Sequence, residues 1–200
     1  HPLTVMDTTE KKTAFPQTRQ HNTPVIPSDE AIQKVLPQTQ CALCDYPGCG
    51  PYAEAMRAGK APIDRCASGG LPVLSALGKL FEQNTQPMEA DLIKRSKPSK
   101  LARIDPEGCI GCGKCIPVCP TDAIVGAAKS LHAVINSECT GCGLCIPACP
   151  TDCIFELPMP EQKPKEKETR AAYWRKQHEN TQTKRKTHAL KQEKEKQDKK

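Results

Sequence analysis

The sequence predicts an α+β chain of two small cysteine-rich units, and three observations carry that prediction. Its 200 residues include 13 cysteines, many of them spaced as C-x2-C. The segment Cys109–Ile124 recurs without gaps, 30 residues later, as Cys139–Ile154. Hydrophobic residues make up 37% and aromatics only 4%, against 19 prolines, which is too little apolar surface for one large core. Something other than packing must hold such a chain together, and the cysteines are the candidates.

Read in order, the chain divides into five regions. Residues 1–28 are polar and carry Pro2, Pro16, Pro24 and Pro27 with no periodicity, which predicts a disordered lead-in. Residues 29–83 hold the first four cysteines and form the first unit. Ser28 or Asp29 is placed to cap a helix over Glu30–Leu36 that Pro37 ends, and Tyr52–Ala58 and Leu71–Phe81 are further helix candidates. Residues 84–100 read as a linker. Residues 101–157 form the second unit, with strands expected at Leu101–Ile104 and His132–Ile135 and a short helix after each cysteine triplet. Residues 158–200 read as a charged tail, disordered or helical.

The repeat carries the chemistry. Cys109-x2-Cys112-x2-Cys115-x3-Cys119-Pro120 is the run of bacterial two-cluster ferredoxins, and Cys139-x2-Cys142-x2-Cys145-x3-Cys149-Pro150 repeats it. Three thiolates on one tight loop can each take an iron of a 4Fe–4S cubane, while the fourth points to the other cluster. Ligation is therefore expected to cross: Cys109, Cys112, Cys115 and Cys149 around one cluster, and Cys139, Cys142, Cys145 and Cys119 around the other. The unit should then be a ferredoxin-like domain with a pseudo-two-fold repeat. Glycines 111, 113, 141 and 143 suit a backbone that turns tightly and aims N–H groups at sulfur. Zinc would leave thiolates of the two triplets unused.

The upstream group, Cys41-x2-Cys44-x4-Cys49-x16-Cys66, is less specific. Its spacing admits either a cubane or a four-thiolate zinc site. Cys153, the thirteenth cysteine, stands where the other half has Ala123 and reads as a small buried hydrophobe. His132 lies on an expected strand and reads as a packing or surface residue. The sequence shows no phosphate loop, nucleophile elbow or HExxH motif, and nothing that marks a substrate pocket.

Charge and context exclude other classes. The odd cysteine count and the absence of a basic, then apolar leader in His1–Thr9 argue for metal ligation in a reducing compartment rather than disulfides. The most apolar stretch, Leu71–Phe81, falls short of the roughly 20 residues of a membrane span. A cytoplasmic protein is expected, with peripheral attachment to the inner membrane's cytoplasmic face as an extension. Residues 161–200 hold 14 Lys+Arg and 7 Asp+Glu, so the chain's net +6 resides in the tail. A solvated tail is the expectation; contact with an acidic partner or anionic membrane comes second, and nucleic acid, despite Tyr173 and Trp174, last.

With both cysteine groups in view, residues 30–157 resemble the B-type subunit of the Rnf/Rsx-type ion-translocating electron transport complex. The resemblance rests on LPQTQCALCDYPGCGPYAEAM and GKAPIDRCASGG within Leu36–Gly70, followed by CPTDAIVGAAKSLHAVI at Cys119–Ile135. It implies that Cys41, Cys44, Cys49 and Cys66 bind a third 4Fe–4S cluster, making three. It also implies an electron relay among redox proteins, with the other subunits of a membrane complex as partners and ion transport as the coupled work. Such subunits normally begin with a hydrophobic anchor, whereas residues 1–29 here are polar. A variant without the anchor is therefore expected, serving either that complex or, as a soluble ferredoxin-like donor, a separate oxidoreductase or repair or regulatory protein.

Overall fold

The structure is a computed structural model that describes residues 26–198. The expected lead-in lies outside these residues except for its last three. Four helices come first: α1 (Asp29–Val35), α2 (Cys49–Arg57), α3 (Gly70–Leu80) and α4 (Gln86–Arg95). Ser28 caps α1, its side chain accepting from the Ala31 N–H at 3.2 Å, with Asp29 and Glu30 in the first turn where the helix dipole favours them. Ile32, Leu36, Tyr52, Met56, Leu74, Leu77 and Leu92 converge on one apolar core. Gly78 sits inside α3 because a Cβ there would lie 2.3 Å from Thr85 Cγ2, against the turn into α4.

That last helix corrects the expected linker. Residues 86–95 are helical, and Leu92 is fully buried in the core with Met88 packed beside it. Arg95 donates to the carboxylate of Asp64 at 3.0 Å, and the Lys97 N–H donates to the Ala67 carbonyl at 3.0 Å. The two bonds clasp the loop that carries Cys66.

The second unit is built from short pieces. β1 (Lys100–Ile104) pairs antiparallel with β4 (Ile154–Pro158), Ile104 opposite Ile154, and β2 (Ile124–Val125) pairs antiparallel with β3 (Ala133–Val134). Each ladder therefore joins segments separated in sequence, one of them across both cysteine loops. Of the two expected post-triplet helices, α5 (Cys115–Val118) forms as a single turn, while residues 144–148 are a turn only. Pro117 and Pro147 leave little room for helix to propagate, since each removes a backbone donor. The buried core is thin: five of its ten residues are cysteines, and the rest are Ala and Ile.

The tail forms α6 (Pro164–Gln197), a helix of 34 residues and about 51 Å. It opens with Pro164 and a bond from the Lys163 N–H to the Glu166 carboxylate at 3.0 Å. It is not a wholly solvated tail: Ala171, Trp174 and Thr181 are buried. Trp174 Nε1 donates to the Ser137 carbonyl at 3.3 Å and Tyr173 bonds the Glu138 carboxylate, both on the second unit. Arg175 pairs with Glu30 of α1 at 2.9 Å. Further along, His178 Nδ1–H donates to the Pro120 carbonyl at 2.9 Å, and Arg185 donates to the carbonyl of Cys119 at 2.6 Å and to Asp122 at 3.3 Å. The helix thus lies across both units. Among the described residues no helix is long and apolar enough to cross a membrane.

Candidate metal centres

Twelve cysteines gather into three groups of four. Cys41, Cys44, Cys49 and Cys66 line a small cavity in the helical unit. Cys109, Cys112, Cys115 and Cys149 line a second, and Cys119, Cys139, Cys142 and Cys145 line a third. In each of the last two, the fourth cysteine comes from the other half of the repeat. Wider grooves run beside α6, but no cysteine lines them.

Local backbone explains how each group is presented. Ahead of and within the first group, Gln38, Gln40, Ala42 and Asp45 all adopt left-handed conformations, with φ between 55° and 67°. Such alternation turns successive N–H groups towards one side, a concavity that favours negative charge. A buried amide ladder fixes the loop: Gln38 Nε2 donates to the Gln33 carbonyl at 2.7 Å, Gln40 Nε2 to Gln38 Oε1 at 3.0 Å, and the Cys49 N–H to Gln40 Oε1 at 2.8 Å. Gln40 so supplies the acceptor that Gly48, the residue ahead of α2, cannot. Tyr52 OH donates to the Pro62 carbonyl at 2.8 Å and accepts from the Arg65 N–H at 3.1 Å, holding the chain that leads to Cys66.

In the second unit the two cysteine loops turn at Gly111 and Gly141, at φ 67° and 72°. A Cβ at either would lie within 2.9 Å of backbone atoms of residues 129–130 or 100, so both the left-handed turn and the close approach require glycine. The Ala123 N–H lies 3.2 Å from Cys119 Sγ, an amide already aimed at sulfur.

The thiols differ in their electrostatics. Burial pushes those of Cys49 and Cys145 up to about 12 and those of Cys66 and Cys142 up to about 11. Cys149 runs the other way: burial raises it, but hydrogen bonds from Thr151 and Cys153 bring it down to about 7. Thiolate, not thiol, binds metal, so loading the buried groups must release protons. The donor set fits iron–sulfur ligation: four sulfurs ring each cavity. Among the described residues no three His, Cys, Asp or Glu close together as a single-ion site would.

Two residues read as inert in the sequence belong to a cavity wall. Cys153 is buried as expected, yet its sulfur is 3.4 Å from Cys149 Sγ. His132 is 5% exposed, just ahead of β3, and its Nδ1 lies 3.6 Å from Cys109 Sγ. The units also touch near their cysteine groups. Thr140, beside Cys139, donates its hydroxyl to the carbonyl of Thr39 at 2.8 Å, and both residues are buried. Neither His132 nor this contact carries a spacing signal; both depend on how distant segments fold together.

These features define an iron–sulfur electron-transfer protein. A 4Fe-4S dicluster domain model matches residues 102–155, and a model described as a putative Fe-S cluster matches residues 36–68. The chain is 52% identical over 134 residues to the B-type subunit of the ion-translocating oxidoreductase complex of Edwardsiella ictaluri, covering 67% of this chain and 70% of that protein. It is 50% identical over 133 residues to the same subunit of Yersinia pestis, covering 66% and 71%. For that of Sodalis glossinidius the identity is 48% over 110 residues, covering 55% and 57%. The chain belongs to this family, the B-type subunits of ion-translocating oxidoreductase complexes.

Proposed function

We propose that this protein relays electrons through three 4Fe–4S clusters, within a membrane oxidoreductase complex whose other subunits are its redox partners. Cys41, Cys44, Cys49 and Cys66 would hold the first cluster. Cys109, Cys112, Cys115 and Cys149 would hold the second, and Cys139, Cys142, Cys145 and Cys119 the third. The observation that carries this reading is the grouping of twelve thiols, four to each of three cavities, with one cysteine exchanged between halves. Crossed ligation makes the second unit a ferredoxin-like domain with a pseudo-two-fold repeat, preceded by a four-cysteine domain. Bound clusters supply one-electron chemistry; the protein supplies ligands, burial and hydrogen bonds to sulfur.

The Thr140–Thr39 bond supports an order for the relay. It ties the loop of Cys41 to that of Cys139, which supports a relay with the four-cysteine site next to the Cys139 site and the Cys109 site as its other end. Cys112, exposed on that end, offers a docking point for a partner carrier. Attachment to the complex is peripheral for residues 26–198, on the cytoplasmic face.

The test is anaerobic reconstitution with iron and sulfide analysis and EPR of the reduced protein. About twelve irons per chain are expected. About eight irons with one zinc would remove the cluster from the Cys41–Cys66 site.

A further inference from the structure

The two ferredoxin cavities are lined by residues 30 apart, and where the lining differs the difference is chemical. Ile104 on one wall answers Val134 on the other, and Ile154 answers Ile124. Three pairs depart from this likeness: Ile110 stands against Thr140, Cys153 against Ala123, and His132 against Ala102. Thr140 is committed to the Thr39 carbonyl. The Cys109 cavity is therefore the one with an additional ring donor at its sulfur, where the Cys139 cavity has a methyl group.

The state of the His132 ring follows from its surroundings. Nε2 is buried without a hydrogen-bond partner, whereas Nδ1 faces Cys109 Sγ at 3.6 Å. A buried orphan N–H costs more than a buried orphan acceptor, and a thiolate sulfur can only accept. The proton accordingly sits on Nδ1, and the ring donates to sulfur. Gly126 leaves room for the ring: a Cβ there would lie 2.3 Å from His132 Cδ2.

We infer that His132 sets the reduction potential of the cluster held by Cys109, Cys112, Cys115 and Cys149, making it the higher-potential member of the ferredoxin pair. Reduction adds one negative charge to the cluster and its thiolates, and a donor aimed at sulfur stabilises that state more than the oxidised one. Exposure of Cys112 acts in the same direction. One electron passing from the Cys139 site to the Cys109 site oxidises the first cluster by one and reduces the second by one, with no proton or atom transferred. The step runs downhill towards the exposed end. Electrons supplied by a redox partner at the four-cysteine side are thereby drawn outward.

This inference rests on the proposed ligand sets, and the experiment separates the two. Reduced wild-type protein, His132→Phe and His132→Asn are titrated against potential and followed by EPR, with iron measured on each sample. Phe keeps the ring volume and removes both nitrogens; Asn returns an N–H. The expected result is full iron in all three and, in His132→Phe, a fall of one ferredoxin potential by at least tenfold in its one-electron equilibrium, about 59 mV. Asn should recover part of the loss, and the gap between the two ferredoxin potentials should narrow in Phe. His132→Ala, which copies Ala102, serves as a second donor-free variant and should behave like Phe. Unchanged potentials in Phe and Ala at full iron overturn the role of His132 and leave the ligand sets standing. Loss of iron in both overturns it too, because a residue that only sets a potential leaves four thiolates in place. Wild-type protein without eight ferredoxin irons overturns the ligand sets and the inference together.

Discussion

The two cysteine units solve the same chemical task with different materials. The four-cysteine unit, spanning α1 to α4, encloses Ile32, Leu36, Tyr52, Leu74, Leu77 and Leu92 in an apolar core, and its thiols stand at the edge of that core. The ferredoxin unit has β-ladders of two and five residues and a core in which half the buried side chains are cysteines. In the first, packing holds the helices and the helices hold the ligands. In the second, the cysteines supply half of the core themselves, in a small domain with little apolar surface to bury. The same number of cysteines per site therefore carries a different share of the stability.

Stripping iron with a chelator under reducing conditions should break the comparison most visibly. Amide protection across 101–157 should collapse, while α1 to α3 keep theirs, as read by hydrogen exchange; equal loss in both units would refute the contrast. Cys149→Ser comes next. It should remove the cluster of Cys109, Cys112 and Cys115, lowering iron by about a third, and loss of the neighbouring cluster instead would refute crossed ligation. In the other unit, Leu77→Ala should destabilise the helical core by about 2–5 kcal/mol in denaturant melts, yet leave the ferredoxin EPR signals in place. Thr140→Ala is the finest probe. Losing its bond to Thr39 should weaken the contact between units by about 1 kcal/mol, seen as faster exchange of both loops at unchanged iron content.

How far the sequence discloses these units follows from the kind of signal each feature leaves. The cysteine repeat is local and periodic, so it marks Cys109 to Cys149 as the residues that line these cavities. Ser28 as a cap and the α2 and α3 helices also leave local marks. Helix α4 does not, because QPMEADLIKR offers only Met88 and Leu92 at helical spacing to pack and is otherwise polar or exposed. The Gln38–Gln40 ladder reads as an exposed polar loop until α1 and α2 close over it. His132 becomes a neighbour of Cys109 only when the chain returns after 23 residues. The buried stripe on α6, Ala171, Trp174 and Thr181, is too sparse among lysines and glutamates to register as a face.

That stripe has a consequence for biogenesis. Both cysteine regions are synthesised before α6, and domains generally begin to fold in the order they are made. Until Arg185 and His178 reach the carbonyls of Cys119 and Pro120, the turn carrying Cys119 has no cover from the helix. That turn is therefore open until the helix docks. A helix that bridges both units is in this sense also a clock: it covers the Cys119 turn only after the last cysteine, Cys153, has been synthesised.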